Sequence, residues 1–340
     1  MGQLASVLVT AFYDQLFAKL PTIDADLTGR TFLISGSNTG IGLAAAIHLA
    51  RLKALHLVLA VRDLKKGAKA KEDIIAQTNF EGIIDVWELD LSKFDGVKGF
   101  AEKANTNLRR LDGAILNAGI NSTRWVTTPD GYEQILQVNG IATGLLCVLL
   151  LPLLQATSRL PSPHPDASVQ MLPHLTITGS EAHFLPKFRE KLAPNVLEAL
   201  NVTSPATLPE RYGLSKLFDV FIAREIAQLP RAEGVVVNVV SPGMVRTDIW
   251  NDEINNRGKI FSSIFRSISL PTSEGALNLI YAVLTPTPPG AFIGQCQLRP
   301  KHIPSWVLTK EGLRVQKKVW DEMVDIWRGV SPDVDNIVQV

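Results

Sequence analysis

Only two cysteines, Cys147 and Cys296, occur in the 340 residues. Two thiols cannot build a disulfide framework, and so low a count suits a reducing compartment, so a cytoplasmic protein is expected. Surplus charge is also missing: 34 Lys+Arg face 33 Asp+Glu, a net of +1. That balance argues against a nucleic-acid partner, which would need a basic face. The six histidines show no metal-ligand spacing, so no metal is expected. No long hydrophobic run stands out. The most apolar stretch, Leu145–Leu154, is ten residues long, half of the ~20 that a spanning helix needs, and Pro152 interrupts it. A buried core helix is expected there. The first twenty residues lack a basic segment, and Asp14 and Lys19 break their apolar stretch, so no signal peptide is expected. What is present is apolar: hydrophobic residues make up 46% of the chain, which excludes a disordered one.

The apolar residues are arranged as alternating strand and helix. Thr31–Ser35, His56–Val61, Ile84–Leu89, Gly113–Asn117, Leu175–Gly179 and Val235–Val240 read as short apolar strands, with Ala291–Cys296 as a last one. Helical periodicity falls over Thr39–Arg51, from Asp63 to about Gln77, and near 93–108, 130–157, 209–229 and 272–284. Continuous apolar strands separated by helices predict an α/β fold with a doubly wound parallel sheet of the Rossmann type, covered on both faces. Residues 28–300 form this single domain, and Ser158–Pro173 is a surface loop inside it. Residues 1–27 are an N-terminal helical extension, with apolar positions 4, 7, 8, 12, 16, 17 and 20 forming a rough stripe. Packing on the body or covering the substrate is its expected role; lying on a membrane is the alternative. Residues 301–340 are a C-terminal helical extension, whose Leu313, Trp320, Met323 and Trp327 share one side, interrupted by Gln316.

The first strand runs into Ser35-Gly36-Ser37-Asn38-Thr39-Gly40-Ile41-Gly42. Glycines in this strand–turn–helix context suit a phosphate loop. Gly36 allows a tight turn, Gly40 a close approach to a pyrophosphate and Gly42 a close helix–sheet contact. The amides at the helix start face the anion. The second strand ends at Arg62, where a site for NAD usually offers an acidic residue. A guanidinium there suits a 2′-phosphate, so NADP(H) is expected over NAD. The alternative is a surface arginine paired with Asp63.

Residues 28–248 resemble the short-chain dehydrogenase/reductase family, through motifs that occur in the family's order. Besides the loop, these are Asp90-Leu91 after the third strand, Asn117-Ala118-Gly119 at the end of the fourth, and Asn139 in a predicted helix. Ser180 follows the fifth strand, Tyr212 and Lys216 form Y-x-x-x-K, and Pro242-Gly243 ends the sixth strand. The wording around these motifs is most similar to fungal members that tailor secondary metabolites, and more distantly to retinol dehydrogenases. The resemblance implies that Ser180, Tyr212, Lys216 and Asn139 are catalytic. It implies that Asp90 and Leu91 contact adenine, and that Asn117, Ala118, Gly119, Pro242, Gly243, Val245 and Thr247 also bind the cofactor. It further implies a homodimer or tetramer, which the extension and inserts could block.

The chemistry follows from the residues. Tyr212 and Lys216, four apart, point from one helix face. An ammonium beside a phenol favours the phenolate and lowers its pKa from about 10. Tyr212 can then give a proton to a carbonyl oxygen or take one from an alcohol. Ser180 can donate to the same oxygen. By resemblance, Lys216 also binds the nicotinamide ribose, and Asn139 holds a water that links Lys216 to solvent.

Two further segments bear on the substrate. An insert over 182–211, with Phe184, Leu185, Phe188, Leu192, Val196 and Leu200, is expected near the substrate entrance, and His183 in it is expected to make a structural hydrogen bond. Residues 249–270 carry Ile249, Trp250, Ile254, Ile260, Phe261, Ile264 and Phe265, and are expected to form a lipophilic lid. The expectation is an NADP(H)-dependent oxidoreductase that interconverts carbonyl and hydroxyl on a lipophilic small molecule. A redox-silent cofactor-binding sensor, or an isomerase on the same fold, is the alternative.

Overall fold

A strand buried on both faces sends alternate side chains to opposite layers, and these strands do so. The structure, a computed structural model, describes residues 2–17, 19–164, 166, 170–203, 208–250 and 267–339. The parallel strands are β1 (Thr31–Ser35), β2 (His56–Val61), β3 (Ile83–Glu88), β4 (Gly113–Leu116), β5 (His174–Thr178), β6 (Val236–Ser241) and β7 (Ala291–Gly294). They stand in the order β3-β2-β1-β4-β5-β6-β7, and a short β8 (Gln297–Leu298) pairs antiparallel with β7. From β1, Phe32 and Ile34 join the core layer beneath α2 (Gly40–Arg51) and α3 (Leu64–Thr78), while Leu33 joins the other layer. That second layer is built by α4 (Phe94–Asn107), α5 (Ala142–Ser158) and α7 (Arg211–Ile226). The short α6 covers Val196–Leu200, and α8 (Thr272–Leu284) packs beside α2. The chain order reverses between β1 and β4, which places a ligand crevice at the carboxyl ends of those strands.

The apolar run at 145–154 lies within α5. The helical stretch Leu136–Ser158 is long and apolar enough to cross a membrane, yet 89% of its apolar window is buried within the protein. It is a core helix.

Several boundaries differ from expectation for local reasons. The stretch 130–133 is not helical: Thr127 pairs with Glu133, and the helix begins at Gln134 and passes at once into a π turn over Leu136–Ile141. The last predicted strand stops at Gly294, because Gln295 and Cys296 take left-handed φ values of 55° and 52°. That turn closes the β7–β8 hairpin.

The described part of the insert 182–211 packs in part on the C-terminal helix. Phe188 is buried against Phe218 and Trp306, at ring distances of 5.8 and 6.4 Å. The amides of Val196 and Leu197 donate to the Glu322 carboxylate at 2.9 and 2.8 Å. Glu322 belongs to α9 (Lys310–Val330), so the insert is bound to the C-terminal helix. Leu185 and Leu192 are 60% and 79% exposed, and none of the described residues of the insert before Tyr212 lines the cleft described below.

On α9, Trp320, Met323 and Trp327 are buried, but Leu313 is 43% exposed and Gln316 is buried. Gln316 is no interruption: it accepts from Arg224 Nε at 2.8 Å and donates to Glu225 Oε1 at 2.6 Å. A short α10 (Asp333–Val338) follows. The N-terminal α1 (Gly2–Phe17) packs on the body through the buried Val7 and Gln15, while Phe17 is exposed. Gln3 donates to the carbonyls of Lys301 and Ile303 at 3.1 and 2.9 Å.

Candidate active site

The turn after β1 is built so that backbone closes on backbone. Gly36 has φ +66°, and a Cβ there would lie 2.9 Å from the Ala118 Cα. At Gly42 a Cβ would lie 2.4 Å from the Gly36 carbonyl and 2.7 Å from Asn117 Nδ2. Ser35 ties this turn to the end of β4: its hydroxyl accepts from the amides of Asn117 and Ala118, both at 2.9 Å. The Ser35 hydroxyl is thus the joint between the turn and β4.

A cleft of about 610 Å³ opens here, across the strand ends. Gly36, Asn38, Thr39, Gly40 and Ile41 line it at one end, with Arg62, Asp90 and Leu91 nearby. Asn117, Ala118 and Gly119 line its floor. Ser180, Tyr212 and Lys216 line the other end, and Pro242, Gly243, Val245 and Thr247 also line the cleft, with Thr247 Cγ2 beside Gly40. Three predicted residues do not line it: Ser37, Gly42 and Asn139. Gly42 acts by leaving room behind the loop. The Ser37 hydroxyl is buried without a hydrogen-bond partner among the described residues.

Asn139 sits in the π turn, a helix irregularity that recurs at functional sites. Its Oδ1 accepts from the Ile120 amide at 2.8 Å, and its Nδ2 donates to the Ile120 carbonyl at 2.8 Å and to Ser215 Oγ at 3.1 Å. Both amide protons are therefore committed to fixing the backbone beside Gly119 and helix α7.

Around Arg62 the charges sort themselves by capping. Asp63 Oδ1 accepts from the amides of Lys65 and Lys66 at 2.9 and 3.1 Å, capping α3. The Lys66 amide bond is the main cause that holds this carboxyl below its ordinary value. Asp63 is thus turned to the helix start, and exposed Arg62 and Lys66 offer cations to the cleft. Lys66 was legible only through its place one turn into α3. Burial alone would raise Asp90, but bonds from the Ser92 hydroxyl (2.6 Å) and amide (3.0 Å), with Lys93 beyond, hold it below the usual carboxylate range.

At the catalytic end, Ser180 Oγ accepts from the Ala182 amide at 3.1 Å, which leaves the hydroxyl proton free to donate outward. His183 is buried: Nδ1 meets the Ser180 carbonyl at 2.5 Å and Nε2 the His302 carbonyl at 2.8 Å. It makes the structural bonds expected of it. Burial is the chief cause that holds its pKa down. Lys216 is buried and its Nζ lies 5.9 Å from the Tyr212 ring centre. Nζ donates to the Thr178 carbonyl at 2.8 Å and to Asp219 Oδ2 at 2.9 Å.

The segment after β6 is clamped at its base. The Leu270 amide donates to the Met244 carbonyl at 2.9 Å, and the Arg246 amide to the Leu270 carbonyl at 3.0 Å. From α1, Gln15 Nε2 donates to the carbonyls of Met244 (2.8 Å) and Ile268 (3.0 Å), and its Oε1 accepts from the Met244 amide at 3.0 Å. Ile249 lines the cleft. The side chain of Trp250, and Ile254, Ile260, Phe261, Ile264 and Phe265 of the expected lid, lie outside the described residues. Other lining residues had no sequence signal: Ile120 and Asn121 come from the loop after β4, Gln134 from the approach to the π turn and Val138 from the π turn itself.

A family model described as short chain dehydrogenase matches residues 30–159. The short chain dehydrogenase atnD of Emericella nidulans is 33% identical over 277 residues, covering 81% of this chain and 86% of that one. The short chain dehydrogenase/reductase dmxR8 of a Cryptosporiopsis species is 33% identical, covering 95% and 98%. Among solved structures, L-sorbose reductase of Gluconobacter frateurii, complexed with NADPH and L-sorbose, superposes with a TM-score of 0.60 at 16% identity, over 80% of this chain and 97% of that one. A short-chain type dehydrogenase/reductase of Mycobacterium marinum gives 0.59 at 19% identity, over 79% and 94%. At such identities the structural likeness speaks for the fold.

Proposed function

The chain belongs to the short-chain dehydrogenase family, and from that premise we propose an NADP(H)-dependent oxidoreductase that interconverts carbonyl and hydroxyl on a lipophilic small molecule, in fungal secondary metabolism. One observation carries this reading: Ser180, Tyr212 and Lys216 line the same cleft as the glycine turn and Arg62.

The residues fit a nicotinamide dinucleotide. The turn after β1 has no room for side chains at Gly36 and Gly42, and the amides at the start of α2 are available to a pyrophosphate. Arg62 and Lys66 suit a 2′-phosphate. Such a cofactor, when bound, supplies or takes up the hydride. The protons belong to the chain's own residues. Tyr212 gives its phenolic proton to the carbonyl oxygen as the carbon is reduced, or takes one from an alcohol in the reverse direction. Ser180 donates to the same oxygen and stabilises charge that develops there. Lys216, with two of its three N–H donors committed, has one left for a ribose hydroxyl. Asn139 positions the Ile120 backbone and α7. Reduction is the proposed physiological direction.

The test is consumption of NADPH, and separately of NADH, with a panel of lipophilic ketones and identification of the product alcohols. NADPH-dependent formation of alcohol is expected. Tight NADPH binding with no turnover across the panel would overturn the enzymatic reading in favour of a redox-silent binder. Equal use of NADH would overturn the cofactor assignment.

A further inference from the structure

Lys216 is not the only ionisable group behind Tyr212. Asp219, one turn further along α7, is fully buried and accepts from Lys216 Nζ at 2.9 Å through Oδ2. Its other oxygen, Oδ1, is buried with no hydrogen-bond partner among the described residues. Burial pushes Asp219 up to about 6, with Lys216 opposing a further rise. The titratable groups that bear on it are Lys216, with Tyr212 beyond it on the same helix, and Cys147 from α5. Burial first, and then Asp219, pushes the Cys147 thiol up, so it stays neutral. From β5 the neighbour is the uncharged Thr178, whose carbonyl shares the ammonium.

An ammonium alone beside a phenol would favour phenolate. Here a carboxylate in contact with that ammonium offsets its charge. Two coupled groups lose their protons in steps that belong to the pair. An added negative charge raises both steps, whichever group titrates first.

We infer that Asp219 is a positioning residue that keeps the Tyr212–Lys216 pair protonated and so biases the site toward giving a proton, the direction of carbonyl reduction. The inference rests on Tyr212 as the proton donor. It also assigns a role to a residue that the Y-x-x-x-K motif leaves out.

The experiment compares the pH profile of kcat/KM for ketone reduction in the wild type and in Asp219→Asn, which removes the charge and keeps the shape. The alkaline limb should move to lower pH by about one unit or more in the variant, the range an adjacent charge commands. A rate lowered equally at every pH, with the limb in place, would mean a structural role only and would overturn the inference. A second readout needs no turnover: the pH titration of tyrosinate absorbance, with Tyr212→Phe used to isolate the Tyr212 signal. If that titration moves down in Asp219→Asn while no substrate turns over, the inference stands and the proposed activity falls. If Asp219→Asn does not fold, the wild type decides. Ionisation of Tyr212 near the free phenol's value of about 10 supports the inference, and ionisation about two units lower contradicts it.

Discussion

The two ends of the cleft recognise their targets by different means. At the glycine turn after β1 the close-approaching groups are backbone, with Arg62 and Lys66 only at the rim, and the decisive side chains are those that are missing: a Cβ at Gly42 would meet the Gly36 carbonyl at 2.4 Å. At the end after β5 the decisive groups are side chains, and their charge state matters more than their bulk. Lys216, Asp219 and Tyr212 lie along one face of α7, two of them buried as an ion pair. Shape specifies the first end and is indifferent to pH. Charge specifies the second and is sensitive to it. Damage to one end should therefore read out differently from damage to the other.

The largest effect is expected at the charged end. Lys216→Met keeps the volume but leaves Asp219 buried without its partner, which should cost about 3–5 kcal/mol of stability, measured by denaturant unfolding, as well as turnover. Unchanged stability would mean that the pair does not hold this end together. Ser180→Ala should lower kcat by about 10²-fold, the loss typical of one donor to a developing oxyanion. Its stability should remain near that of the wild type, because among the described residues the hydroxyl bonds to the Ala182 amide alone. Gly42→Ala tests the shaped end. Forcing a methyl into that space should cost about 1–3 kcal/mol, seen as a lower thermal midpoint, and should weaken cofactor binding at every pH. A stable Gly42→Ala with normal cofactor affinity would erase the distinction. The smallest effect is at the rim: Arg62→Ala should weaken NADPH binding about tenfold while leaving NADH nearly unchanged, as expected for one exposed charged hydrogen bond. An unchanged NADPH/NADH ratio would remove Arg62 from recognition of the 2′-phosphate.

The same contrast governs what can be read from the sequence. The glycine turn is local, since turn chemistry and strand periodicity place Gly36, Gly40 and Arg62 without knowledge of the rest of the fold. The alternation of apolar strands and helices likewise predicts the doubly wound sheet, because burial on both faces demands continuous apolar runs. The charged end depends on distant partners. Asp219 stands three residues after Lys216, a spacing open to view, but its importance comes from burial beneath α5 and β5. Gln316 looks like a flaw in an apolar stripe until Arg224 and Glu225, about ninety residues earlier, supply its bonds. The insert is ambiguous in sequence for the same reason. Its apolar residues are equally able to cover a substrate or to pack on α9, and the Glu322 carboxylate that binds the amides of Val196 and Leu197 lies about 125 residues away. The Gln15 clamp on Met244 and Ile268 spans more than two hundred residues and leaves no local trace.

Tyr212→Phe tests the central claim most directly, because it removes one phenolic oxygen from the charged end and leaves the residues of the glycine turn as they are. Cofactor affinity and ketone turnover should be measured on the same preparation. NADPH should bind within about twofold of the wild type while turnover falls by about 10²–10⁴-fold, the span of a positioned proton donor. Turnover equal to that of the wild type, with binding intact, would contradict the assignment of Tyr212 and with it the division of labour along the cleft.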